Sequence, residues 1–206
     1  MEKNQNHTEI FTEYFLKNFW GNKTGSSGPN SDPALTPILR KHLIQLIQDL
    51  NVTSLLDAGC GDANLFKKIR EEIDPESFTL KKYIGYDCVR DLIQANQKFS
   101  AFDAEFKTAD VVRDPLPQVD LILSRDVVHY LPNPFIHEFL ENCRRSGSKY
   151  LLITHNIYSE FSANSETEIG IFRPVNLTQK PFFWKQPIMT IPEDVYGKEL
   201  ALFLLK

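Results

Sequence analysis

The stretch Ser54-Leu55-Leu56-Asp57-Ala58-Gly59-Cys60-Gly61-Asp62-Ala63-Asn64-Leu65 is a short apolar run that ends at two glycines one residue apart. Helical spacing follows at once: Leu65, Phe66, Ile69 and Ile73 are apolar, with Lys67, Lys68, Arg70 and Glu71 between them. The pattern predicts a buried strand, a tight glycine turn and a helix. Gly59 and Gly61 let the chain reverse at the carboxyl end of the strand and let a ligand touch bare backbone. The helix that follows offers free N–H groups and the positive end of its dipole. A dinucleotide fingerprint requires a third glycine where Asn64 stands, which weakens the pyrophosphate reading. A βα turn with no ligand is the plain alternative.

The same alternation of strand and helix continues. Residues 83–87 read as a second strand ending in Asp87, and residues 104–110 as a third ending in Asp110. A helix over 89–99 lies between them. An acid at the end of the second strand can accept hydrogen bonds from ribose hydroxyls, which marks an adenosine ligand without naming it. Taken alone, Asp110 reads as a turn aspartate. Three acids, Asp57, Asp87 and Asp110, each ending a successive predicted strand, make a stronger case together. Residues 119–124 form a fourth buried strand that runs into Arg125-Asp126-Val127-Val128-His129-Tyr130. A helix over 134–145 leads to a fifth strand at 149–154. Residues 155–187 show no helical pattern. Two apolar runs, 188–191 and 198–205, are joined by a link too short for a helical crossover, so they pair antiparallel if they pair.

Ahead of the glycine turn, residues 10–20 carry Phe11, Tyr14, Phe15, Phe19 and Trp20 at helical spacing. Either this helix packs against the body of the domain or its last aromatics line a pocket. Residues 21–33 are rich in Gly, Ser, Asn, Asp and Pro and form a loop, a flap over a ligand or a plain linker. Thr36-Pro37 starts a further helix that runs to about residue 50 and carries Arg40, a surface residue or a partner for a ligand carboxylate.

The chain of 206 residues suits one domain, 1–206, with an N-terminal helix and lid loop over 1–33 and a core over 34–206. Its formal charge of −4 argues against a dedicated nucleic-acid binder. Cys60, Cys88 and Cys143 are scattered, without metal-type spacing, and read as reduced thiols of a cytoplasmic protein. The polar start has no signal-peptide core, and no run suits a membrane span.

The form Leu-Asp-Ala-Gly-Cys-Gly resembles motif I of the class I S-adenosylmethionine (SAM)-dependent methyltransferases. The departure is Asp62-Ala63, where many members have a small residue and a third glycine. Segments 26–31, 125–129 and 173–182 are similar to a bacterial-type subset with a Ser/Gly/Pro-rich N-terminal loop. In the middle segment the spacing between Arg-Asp and His is one residue shorter than in that subset. The resemblance implies a Rossmann-like α/β fold with a mostly parallel sheet, helices on both faces and an antiparallel C-terminal hairpin. It also implies SAM as the cofactor, with Asp57 orienting the methionine end and Asp110 meeting the adenine amino group. The expected cofactor site is Asp57, Gly59, Gly61, Asp87 and Asp110, with Arg125 and Trp20 completing it.

Methyl transfer from a sulfonium is an in-line displacement, so the protein must bind SAM, exclude water and aim a nucleophile. His129 is the candidate base, with Asp126 orienting it or binding the acceptor. A structural histidine is the other reading, and two ligands are too few for a metal. The acceptor is expected to be a small molecule, methylated at oxygen or nitrogen, with a protein side chain as the second choice. DNA is not expected, because the Asn/Asp-Pro-Pro-aromatic signature of amino-methylating DNA enzymes does not follow the fourth strand. The competing functions are an NAD-type oxidoreductase and an inactive SAM-binding regulatory module.

Overall fold

The computed structural model describes residues 7–20, 31–99, 101–157, 164–193 and 197–206. Its centre is a seven-stranded sheet of order β3-β2-β1-β4-β5-β7-β6. The strands are β1 (Ser54–Ala58), β2 (Lys82–Asp87), β3 (Glu105–Thr108), β4 (Leu121–Ser124), β5 (Tyr150–Asn156), β6 (Met189–Pro192) and β7 (Lys198–Leu204). The first five run parallel. β7 lies antiparallel between β5 and β6. The near-continuous apolar runs of β1, β4 and β5 follow from this placement, because an inner parallel strand is covered on both faces.

Successive side chains feed opposite faces. On one face Leu56, Ile122 and Leu151 pack with Ile136, Phe139 and Leu140 of α5 (Asn133–Arg145). On the other face Leu55, Leu121 and Leu152 pack with Leu43 and Ile47 of α2 (Pro37–Asp49) and with Phe66 and Ile69 of α3 (Asn64–Glu72). α1 (His7–Leu16) and α4 (Arg90–Asn96) complete the α-helices among the described residues. No helix is long and apolar enough to cross a membrane among those residues.

Several boundaries differ from the sequence expectation. α1 ends at Leu16 rather than reaching Trp20, because Asn18 takes φ +46° and turns the chain. α4 spans seven residues rather than 89–99. β3 is an edge strand paired only with β2, so it covers four residues instead of 104–110. The expected lid loop falls mostly on 21–30, outside the described residues. Segment 173–182, singled out by the resemblance, serves packing. Val175, Leu177 and Phe182 are buried, and the Asn156 N–H donates to the Val175 carbonyl at 2.8 Å.

Candidate active site

From β1 the sheet grows in both directions, toward β2–β3 and toward β4–β5. Ligands of open α/β sheets bind at the strand carboxyl ends beside such a switch point. A cavity lies there, lined by Asp57 near the end of β1, Gly59 and Gly61 after it, Asp87 at the end of β2, Asp110 after β3, and Arg125, Asp126 and Tyr130 after β4. α1 and the turn behind it add His7, Phe11, Phe15 and Trp20. The structure therefore brings all seven expected cofactor residues to one cavity.

The glycine turn is fixed from several sides. Gly59 has φ +87°, and a Cβ built on it lies 2.3 Å from Val127 Cγ2, so position 59 admits no side chain. The N–H groups of Gly59 and Cys60 both donate to the Tyr86 carbonyl. Lys67 Nζ donates to the Asp62 carbonyl at 2.6 Å, and Asn96 Nδ2 to the Gly61 carbonyl at 2.7 Å. Helices α3 and α4 thus hold the turn's carbonyls and leave its inner edge to the cavity.

The acids differ in their electrostatics. Asp57 is buried and accepts the Tyr83 hydroxyl at 2.7 Å. Burial raises its pKa from 3.8 to about 7, with Asp87 and Asp62 adding repulsion, against the lowering effects of Tyr83 and Arg125. Asp87 accepts the Gly61 N–H on one oxygen and the Val89 N–H on the other, both at 2.9 Å. Burial still leaves its pKa raised. At Asp110 burial also pushes upward, but His7, the Val112 amide and Arg113 outweigh it and the pKa is lowered. His7 Nε2 sits 2.8 Å from Asp110 Oδ2 and ties the start of α1 to the end of β3.

Beyond β4 lies a network of buried charge. Arg125 donates to both carboxylate oxygens of Glu193, at 3.1 and 2.9 Å. Lys198 Nζ lies 3.0 Å from each Asp126 oxygen and 2.9 Å from Glu193. Asp126 has φ +58°, a sparsely populated conformation for a non-glycine residue, and its N–H donates to Thr154 Oγ1 at 2.7 Å. Burial pushes the Asp126 pKa up, but His129, Arg125 and Lys198 hold it far below the usual carboxylate range.

His129 does not line the cavity, which corrects its expected place beside the acceptor. The short 3₁₀ turn Val128–Tyr130 rotates its ring inward, where it is fully buried. Nε2 meets Asn156 Oδ1 at 2.8 Å, and Nδ1 is 3.6 Å from Asp126. Tyr130 reaches the cavity instead. His7, Glu193 and Lys198 were missed as site residues. His7 lies in a polar stretch with no pattern, and the other two come from a hairpin distant in sequence. Arg40 pairs with Glu72 at 2.7 Å and does not line the cavity. Among the described residues no group of three or more His, Cys, Asp or Glu could hold a metal ion.

A parallel five-stranded sheet closed by antiparallel β7 and β6 is the fold seen in solved SAM-dependent methyltransferases. Residues 56–147 match a family model described as a methyltransferase domain. No curated protein sequence matches the chain. Among solved structures the chain is similar to the DhpI–SAH complex (SAH, S-adenosylhomocysteine), at TM-score 0.66 and 12% identity over 95% of this chain and 93% of that one. It is similar to magnesium protoporphyrin IX methyltransferase from Synechocystis PCC 6803 with bound SAM, at TM-score 0.61 and 11% identity over 99% of each chain. Human N-acetylserotonin methyltransferase in complex with SAM gives TM-score 0.62 and 13% identity over 98% of this chain and 62% of that one.

Proposed function

We propose that this cavity binds SAM and that the protein transfers the SAM methyl group to a small-molecule acceptor at oxygen or nitrogen, in the cytoplasm. The observation that carries the reading is the convergence of Asp57, Gly59, Gly61, Asp87 and Asp110 on one cavity at the switch point. SAM would supply a methyl group on a cationic sulfonium, ready for in-line displacement.

The residues fit such a ligand. Burial suppresses the ionisation of Asp57, and the ammonium of a bound amino acid would offset that by placing positive charge beside the carboxylate. Each Asp87 oxygen accepts one amide and keeps lone-pair capacity for a ribose hydroxyl. Asp110 is the acid for the adenine amino group. The buried indole N–H of Trp20, on the cavity wall, has no hydrogen-bond partner among the described residues and suits a ligand acceptor. Phe11, Phe15 and Trp20 exclude water. His129 acts in this reading by holding Asp126, with no contact to the acceptor.

Calorimetry with SAM, SAH and NAD tests the cofactor, followed by transfer of labelled methyl to small-molecule, lipid, protein and RNA fractions. SAM binding with methyl transfer to small molecules is expected, and transfer to protein would make a side chain the acceptor. NAD binding without SAM binding would replace the reading by an oxidoreductase. SAM binding with no transfer to any fraction would make the chain a regulatory SAM-binding module.

A further inference from the structure

The cofactor half of the cavity accounts for Asp57, Asp87 and Asp110, but Asp126 lies across the switch point from Asp87 and Asp110 because it follows β4. Three features single it out. It lines the cavity, and Lys198, Arg125 and His129 surround its carboxylate and hold it ionised. Tyr130 lines the same wall close enough for Asp126 to raise its phenol pKa, after burial the second cause. Trp20 packs edge-on to Tyr130, with ring centres 5.9 Å apart, and stacks on Phe11. A carboxylate beside aromatic side chains is the chemistry that recognises an ammonium group.

We propose that the methyl acceptor is an amine on an aromatic or apolar body, with its nitrogen against Asp126 and the rings of Tyr130 and Trp20. This inference rests on the SAM reading of the same cavity. The charge of the wall supports it. Beyond the three acids that the cofactor accounts for, Asp62 and Asp126 line the cavity, whereas the guanidinium that lines it among the described residues, Arg125, is paired with Glu193. The reaction's needs support it too. The bound ammonium first gives a proton to water, and the neutral amine then attacks the methyl carbon with its own lone pair. The N–C bond forms as the S–C bond breaks, the sulfur keeps the bonding pair, and the nitrogen leaves as an ammonium that later gives its proton to water. No base is required in that step, and the fully buried His129 offers none to the cavity. An ionised Asp126 stabilises the positive charge as it develops.

Phenethyltrimethylammonium, which cannot be methylated further, is titrated calorimetrically into the full chain saturated with SAH. It is expected to bind, and Asp126→Asn and Tyr130→Ala are each expected to weaken it by roughly tenfold or more. Asp126→Glu should keep part of the affinity, and SAH binding should fall by far less than ammonium binding in all three variants. In the transfer assay phenethylamine should be methylated and phenethyl alcohol should not. Tyr130→Ala keeps the ion pairs of Asp126, so it decides the matter if Asp126→Asn does not fold. If SAH binds and the ammonium does not, or if the alcohol is the better acceptor, the amine inference falls and the SAM reading stands. If SAH itself fails to bind, both fall.

Discussion

Asp57→Asn gives the sharpest test of the site's electrostatics. Ionising Asp57 costs more in the folded chain than in the unfolded one, because its pKa rises from 3.8 to about 7. At about 1.4 kcal/mol per pH unit, the penalty on folding is about 4 kcal/mol once the group is fully ionised. Between those two values the folded state binds more protons than the unfolded state. Stability from this group is therefore lost as pH rises from about 4 to about 7, and is level above. Asparagine carries no charge and its carbonyl can still accept the Tyr83 hydroxyl. The ligand-free variant is expected to match the wild type near pH 4 and to exceed it by up to about 4 kcal/mol at pH 8. Urea unfolding monitored at several pH values measures the difference. The same substitution should weaken SAM, and wild-type SAM binding near pH 7 should release a proton as the ligand ammonium draws Asp57 into its ionised form. Calorimetry in two buffers of different ionisation enthalpy reads that proton. A stability difference that is constant from pH 4 to pH 8 would refute the assigned cause.

Gly59→Ala forces a side chain into a φ of +87° and against Val127, so a loss of about 2–5 kcal/mol is expected in urea unfolding. His129→Ala removes a fully buried ring and its Asn156 contact, with an expected cost of roughly 2–5 kcal/mol, and the pH–rate profile of the folded variant should keep its shape. Loss of a limb near neutrality in that profile would restore the histidine as a base. His7→Ala should raise hydrogen exchange in α1 and weaken SAM. It should also return Asp110 toward its ordinary pKa of 3.8; the stabilisation from Asp110 is complete above that value and fades as pH falls through its lowered pKa.

The inner strands were legible because burial on two faces leaves a continuous apolar run. β1 matches its expected start, and β2 begins one residue early at Lys82. The acids were legible because each stands within two residues of a strand's end: Asp57 just before the end of β1, Asp87 at the end of β2 and Asp110 two residues past β3. The edge strand was overread, since the run around Glu105 has only β2 as a partner. The aromatic spacing of residues 10–20 carried on past the end of the helix, which is set by the backbone at Asn18. His129 was misplaced for a similar reason. The position after β4 was right, but a single 3₁₀ turn decided which of His129 and Tyr130 faces the cavity. The partners of Arg125 and Asp126 could not be read locally, because Glu193 and Lys198 stand at the two ends of the link between β6 and β7 and meet them only in the folded sheet.

The cavity wall comes from two sources, the strand ends and the segment of α1 with its following turn. Within α1, only His7 is fully buried, while Phe11 and Phe15 are partly exposed and lend one side to the cavity. A molecule held in the cavity touches both sources, so its binding and the docking of α1 share one free energy. The affinity observed for the cofactor is then the intrinsic affinity scaled by the fraction of molecules with α1 seated. Whatever anchors α1, the His7–Asp110 pair included, tightens the cofactor, and whatever pulls α1 away weakens it by the same coupling free energy.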